Sequence, residues 1–186
     1  MQRVKFKRRT NEPRIYDKLL KINRVSKAVK GGRKVSFCAI IVAGNKRGLI
    51  GVGIGKASEV SEAIKKAKRD AKKTFMNVQL TRKSTIPHFV KGQFGGAKVL
   101  ILPAKEGTGV IAGGAVRAVL ELAGLKNVLA KQLGSDNLLN NARATLNAFD
   151  QLKSTTQYAN LRGVAIEELT TRVPRSRLVI STEKIS

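Results

Sequence analysis

The segment Asn23-Arg24-Val25-Ser26-Lys27-Ala28-Val29-Lys30-Gly31-Gly32-Arg33 concentrates groups that bind anions. Arg24, Lys27, Lys30 and Arg33 place a cation at every third residue, and Ser26 adds a hydroxyl. Gly31 and Gly32 let the backbone approach a phosphate closely. A second set, Lys65, Lys66, Lys68, Arg69, Lys72 and Lys73, is interrupted by a single acid, Asp70. Like charges three or four apart on a helix cost stability, so solubility alone does not account for such a run. Both sets point to contact with a polyanion through its backbone, the chemistry that suits structured RNA.

Other patterns invite different chemistry. Gly51-Val52-Gly53-Ile54-Gly55-Lys56 ends like a phosphate-binding loop, but Ile50 stands where the pattern needs its first glycine. Ala57 stands where a magnesium-binding hydroxyl belongs. The stretch reads better as a small-residue strand on which a helix or an RNA backbone lies closely. Gly107-Thr108-Gly109-Val110-Ile111-Ala112 matches a dinucleotide fingerprint, yet no acid lies about 20 residues further on. A phosphate contact at the following helix N-terminus is the better reading, including a phosphate of RNA. A nucleotide-dependent phosphotransferase using residues 107–114 stands as the alternative from another class. Cys38 and His88 read as structural, and Glu106, Glu121, Glu167 and Glu168 are scattered rather than paired for acid–base work. The expectation is therefore no enzyme, no cofactor and no metal.

The elements that must position these groups follow from patterning. Within 186 residues, residues 1–83 hold 24 of the 37 Lys and Arg but five of the 12 Asp and Glu, a net of +19 against +6 for the rest. That asymmetry directs one half toward dense negative charge. Hydrophobic residues make up 42%, enough for packed cores, while aromatics are 4% and Trp is absent. Cores must be aliphatic, and base-stacking platforms are not expected. One cysteine excludes an internal disulfide and fits a reducing compartment. No run approaches the ~18 apolar residues of a membrane span. A membrane-surface protein, the third reading, lacks the apolar amphipathic face it needs. The N-terminus has no apolar stretch of the secretory type. It reads as a basic arm rather than the start of a transit peptide.

Residues 1–13 form that arm. Leu19–Lys30 is predicted as a strand anchored by Leu20, Ile22 and Val25, followed by a glycine turn, a strand Val35–Ala43, a hairpin connection at 44–48 and a strand Leu49–Ile54. A helix begins at an N-cap Ser58 or Ser61 and buries Val60, Ile64, Ala67, Ala71 and Phe75. Asn77–Arg82 extends as a strand or linker. Strands Thr85–Val90 and Ala97–Ala104 flank a loop at 91–96, and a helix Ala115–Ala123 is closed by Gly124. A strand Leu125–Ala130, a helix Asn137–Leu152 burying Leu138, Ala142, Leu146 and Phe149, and a short helix Val164–Leu169 complete the pattern.

Asn23–Arg33, Gly51–Ala57, Glu106–Gly114 running into Ala115–Gly124, Asn127–Lys131 and Gly134-Ser135 together resemble the fifth small-subunit ribosomal protein family of bacterial type. The resemblance spans roughly residues 14–170, with several specific motifs in order. It implies an α+β chain: a double-stranded-RNA-binding-like domain at 14–83, built of a three-stranded antiparallel sheet and a helix, then a small α+β domain at 84–170. It further implies a structural constituent of the small ribosomal subunit that binds 16S-type rRNA at the body–head junction. Such proteins support assembly, the mRNA entry path and decoding accuracy, and contact small-subunit proteins four and eight. The residues expected to hold rRNA are Arg24, Ser26, Lys27, Lys30, Gly31, Gly32, Arg33, Lys56, Lys65, Lys66, Arg69, Lys72, Lys73, Gly109, Gly113 and Ser135. The loop Val25–Arg33 matches one that lies near the spectinomycin site in that family. The arm 1–13 and the basic extension 171–186 depart from the family pattern and are expected to anchor on rRNA or a neighbouring protein. A chain without a leader fits a bacterial cytoplasm or a plastid stroma, and the scarcity of acids favours the plastid.

Overall fold

The computed structural model of the protein describes residues 14–81, 83–153 and 155–164. The chain divides into two compact units, Met1–Leu152 and Lys153–Ser186. In the first unit, strands β1 (Tyr16–Val29), β2 (Gly32–Gly44), β3 (Leu49–Ala57) and β4 (Met76–Asn77) form an antiparallel sheet in that order. Only two residues, Lys30 and Gly31, join β1 to β2, and Gly31 adopts φ of 89°, a conformation that suits glycine. Helix α1 (Val60–Lys73) covers one face of this sheet.

A second sheet has the order β5 (Val90–Phe94), β6 (Ala97–Pro103), β8 (Val128–Leu133), β7 (Val110–Ile111). Its short β7 runs parallel to β8, and the other pairings are antiparallel. Helices α2 (Gly114–Ala123) and α3 (Leu138–Asp150) cover one of its faces. Val42, Ile50 and Val52 of the first sheet share a single core with Val99, Ile101, Val116, Val119, Leu120, Val128 and Phe149. A smaller core, Ala39, Ile41, Ala57, Ala63 and Ala67, lies between the first sheet and α1. The first sheet is thus buried on both faces, which explains the unbroken apolar run of β2.

The α+β class holds, with several boundaries corrected. Helix α1 is preceded by Glu59 in extended conformation, with no side-chain cap, rather than capped by Ser58 or Ser61. Its buried stripe is Ala63, Ala67 and Ala71, while Val60, Ile64 and Phe75 are half-buried. Residues 85–89 are not a strand. Thr85 is tied by turn bonds to Thr81 and Ala104, and β5 starts only at Val90, so the expected loop at 91–96 is mostly strand. The strand expected at Leu125–Ala130 lies three residues later, because Leu125, Lys126 and Asn127 donate their N–H groups to Leu120 and Ser84. Of the α3 stripe, Ala142 and Phe149 are buried and Leu138 and Leu146 half-buried. In the second unit, α4 spans Thr155–Arg162, and the Tyr158 ring is flanked by Lys153 and Arg162, each 5.8 Å from its centroid. The helix expected at Val164–Leu169, beyond its first residue, the arm 1–13 and the extension 171–186 lie outside the described residues.

Candidate nucleic-acid interface

Strand register determines where the first cation set points. Pairing of β2 with β3 ends at Phe37 and Ala57, while β1 and β2 stay paired out to Val29 and Gly32. Residues 25–29 and 32–36 therefore form a two-stranded ribbon beyond the edge of β3, roughly 17 Å long at 3.3 Å per residue. A Cβ placed on Gly31 or Gly32 would meet nothing within 4 Å, so the tip stands clear of the described residues. Arg24, Ser26, Lys27, Lys30, Gly31, Gly32 and Arg33 are all exposed.

The ribbon does not gather its cations onto one surface. Side chains alternate along a strand, and paired residues share a face. Arg24 (paired with Phe37), Ser26 (with Val35) and Arg33 (with Ala28) leave the face that continues into the α1 side of the sheet. Lys27 leaves the other face, directly opposite Lys34. Lys56, paired with Cys38, is on that second face too. Lys34 is exposed and joins the cation set, although its place along the chain does not single it out. A two-residue turn at Lys30-Gly31 makes paired numbers sum to a constant, which matches 34 with 27.

The second cation set is aligned by packing. Gly51, Gly53 and Gly55 of β3 lie under α1, and a Cβ on any of them would run into the backbone of Ala71, Ala67 or Ala63. The P-loop look-alike is therefore a strand stripped of side chains so that a helix can sit on it. With the alanine stripe against the sheet, Lys65, Lys66, Arg69, Lys72 and Lys73 are exposed on the helix. Lys68 is different: it reaches Asp17 of β1 at 2.9 Å. Lys66 approaches Glu62 at 3.8 Å, with both side chains half exposed. Asp70 accepts the Ile54 N–H at 3.1 Å, and the Thr74 hydroxyl donates to Val52 O at 2.9 Å. Both close backbone groups of β3 that the two-residue β4 leaves uncovered.

The second-half residues form a separate group. Asn127, itself buried, accepts the N–H groups of Gly107 (3.1 Å) and Gly109 (3.4 Å) and donates to Lys83 O (3.2 Å). Those loop amides are turned inward. Gly113 is exposed at the N-cap of α2, which has no side-chain cap, and packs against the Gln132 carboxamide. Ser135 accepts from Asn137 N at 3.2 Å and helps start α3. Gly109 spends its N–H on Asn127 and its carbonyl on the Val128 N–H, so this group has the uncapped Gly113 end of α2 and the Ser135 hydroxyl to give rather than cations.

Where β1 meets α2, a groove of about 400 Å³ includes Lys18, Arg117 and Glu121 in its lining. Glu121 accepts from Arg117 at 2.7 Å and from Lys18 at 3.2 Å. The Arg117 guanidinium, helped by the Lys18 ammonium, holds the Glu121 carboxyl below its ordinary value of 4.5 against the opposing effect of desolvation. These charges satisfy one another. His88 meets the Phe89 carbonyl at 2.8 Å, and Cys38 is a half-buried free thiol. No cluster of three or more metal-ligating side chains occurs among the described residues, and no helix among them is long and apolar enough to cross a membrane.

Fold and charge layout together define a small, strongly basic α+β protein that presents cations on a projecting hairpin and on the exposed face of one helix. Residues 15–79 match the family model described as ribosomal protein S5, N-terminal domain, and residues 92–162 match ribosomal protein S5, C-terminal domain. Small ribosomal subunit protein uS5c of Cyanophora paradoxa is 58% identical over 161 residues, 87% of this chain and 95% of the relative. The uS5 proteins of Crocosphaera subtropica (57% over 155 residues, 83% and 90%) and Rippkaea orientalis (52% over 170 residues, 91% and 98%) are similar along the same length. The chain belongs to the uS5 family of small ribosomal subunit proteins. Its role is accordingly that of a structural constituent of the small subunit and not of an enzyme.

Proposed function

We propose that the chain anchors itself in 16S-type rRNA at the body–head junction, with the ribbon and the exposed face of α1 as its grip. The observation that carries this is the lack of internal partners: among the described residues, no ion pair involves a ribbon cation. Lys27 and Lys34 even face each other across the strands, an arrangement that costs stability until a shared anion lies against them. In this reading Arg24, Ser26, Lys27, Lys30, Gly31, Gly32, Arg33 and Lys56 hold one part of the rRNA, and Lys65, Lys66, Arg69, Lys72 and Lys73 another. Gly109, Gly113 and Ser135 contribute from residues 84–170, while residues 14–83 supply the charge. The arm 1–13 and extension 171–186 serve as further anchors.

Contacts with small-subunit proteins four and eight, and a part in the mRNA entry path and decoding accuracy, belong to the same reading. Support for a protein neighbour comes from the uncovered face of the second sheet. Ile111, Leu133, Leu102 and Leu129 are 55%, 45%, 38% and 36% exposed on one face, a grouping that isolated surface apolar residues do not produce. The ribosome concerned is that of a plastid stroma or a bacterial cytoplasm.

Charge reversal at the ribbon tip tests the central claim. Lys30→Glu with Arg33→Glu leaves the fold intact, since both side chains are exposed and Gly31 still makes the turn. Removing two phosphate-binding cations lowers the slope of log affinity against log salt by about 1.8. The variant is expected to wash off small subunits at a salt concentration that the parent survives. Retention equal to the parent's would remove the ribbon from the interface.

A further inference from the structure

We infer that the ribbon is a two-faced wedge that holds two separate phosphate tracts at once, one on its arginine face and one on its lysine face. The inference rests on the rRNA reading above and specifies the ligand of that same site. Arg24 and Arg33, with the Ser26 hydroxyl, leave one side of residues 24–36. Lys27 and Lys34 leave the other, and Lys56 continues that side onto β3. A two-stranded ribbon is one strand layer thick, and beyond Phe37 and Ala57 no third strand among the described residues flanks it. The backbone layer between the two sides directs their cations away from each other.

The residue types differ as the two tasks would require. Guanidinium groups present a fixed planar fork that engages a phosphate through two parallel bonds, which suits a defined contact. Ammonium groups are compact point charges on flexible stems. Three of them along one face suit a tract followed at varying distance. A single duplex lying along one side would leave the cations of the other side without an anion, including either the Lys27–Lys34 pair or both arginines. RNA on both sides supplies a counter-charge to every one of them.

The test uses the full chain bound to small-subunit rRNA transcript, with hydroxyl-radical cleavage reading the protected backbone. One variant carries Lys27→Gln, Lys34→Gln and Lys56→Gln; the other carries Arg24→Gln and Arg33→Gln. The lysine-face variant is expected to lose protection of one tract and the arginine-face variant of a different tract, with salt slopes lower by about 2.7 and about 1.8. Circular dichroism melts confirm that both variants fold. Loss of the same tract in both variants, or intact protection in either, would overturn the two-faced wedge while leaving rRNA binding in place. A parent protein that protects no tract would overturn the rRNA reading together with it.

Discussion

Gly53 shows how far a single absent methyl group determines this site. A Cβ there would collide with the backbone of Ala67 and Ala71, so Gly53→Ala must push α1 off the sheet or bend β3. Overpacking of this kind costs about 1–3 kcal/mol. Gly96→Ala, whose new Cβ meets nothing within 4 Å, should stay within about 0.5 kcal/mol. Urea unfolding of the two variants checks the contrast, and equal midpoints would mean that the helix does not depend on the glycine stripe. The same close approach explains what the sequence conceals. Alternation of apolar residues identifies a strand by the side chains it buries; β3 buries helix backbone instead, and there the spaced glycines themselves make the strand and its close helix legible. Gly92 repeats the device in β5, where its Cβ would meet Ala144 and Ala148 of α3, so apolar patterning favours the Thr85–Val90 run over the true strand. Lys34 is hidden for another reason: its importance lies in the residue opposite, not in its neighbours along the chain. The cations on α1 are legible because helical spacing is local.

Among elements, the tie between β1 and α2 is the one whose strength depends on pH. Leu20 sits at the register shift between Leu19 and Lys21 and packs against the main core, and Lys18 beside it reaches Glu121. Because the Glu121 carboxyl is held below 4.5 in the folded chain, its contribution is complete above that value. It is lost as pH falls through the lowered folded value. Glu121→Gln should therefore be less stable than the parent at pH 7, with the gap closing as pH falls below 4.5. A partly exposed ion pair contributes on the order of 1 kcal/mol or less, so the gap is small. Denaturant midpoints of both proteins across that range read it directly, and a gap independent of pH would show that the carboxylate charge is not what matters. In the sequence Glu121 stands only among scattered acids. Its partners are 103 and four residues away, and only the fold reveals the longer of these two contacts. By contrast the end of α2 is fully legible, since Gly124 adopts φ of 98° and closes the helix as glycine does at that position.

At the scale of the whole molecule, a net charge of +25 acts on folding and on binding with opposite sign. In the free chain, cations on the ribbon and α1 repel one another, and three carboxylates, Asp17, Glu62 and Glu121, are committed to Lys68, to Lys66, and to Lys18 with Arg117. Added salt screens that repulsion over a distance of about 10 Å at 0.1 M, so the isolated protein should unfold at higher temperature as salt rises. Binding to rRNA responds the other way, because salt replaces the counterions that cationic side chains release from the phosphates. With six to ten phosphates neutralised, affinity should fall ~10³- to 10⁵-fold between 50 and 200 mM salt. A protein stabilised mainly by its core, with cations and acids in balance, would show neither trend. One held by internal ion pairs would lose stability with salt. Melting temperature and rRNA affinity measured on the same preparation over the same salt range separate these cases. An unbalanced charge excess that an external polyanion neutralises makes the first rise while the second falls.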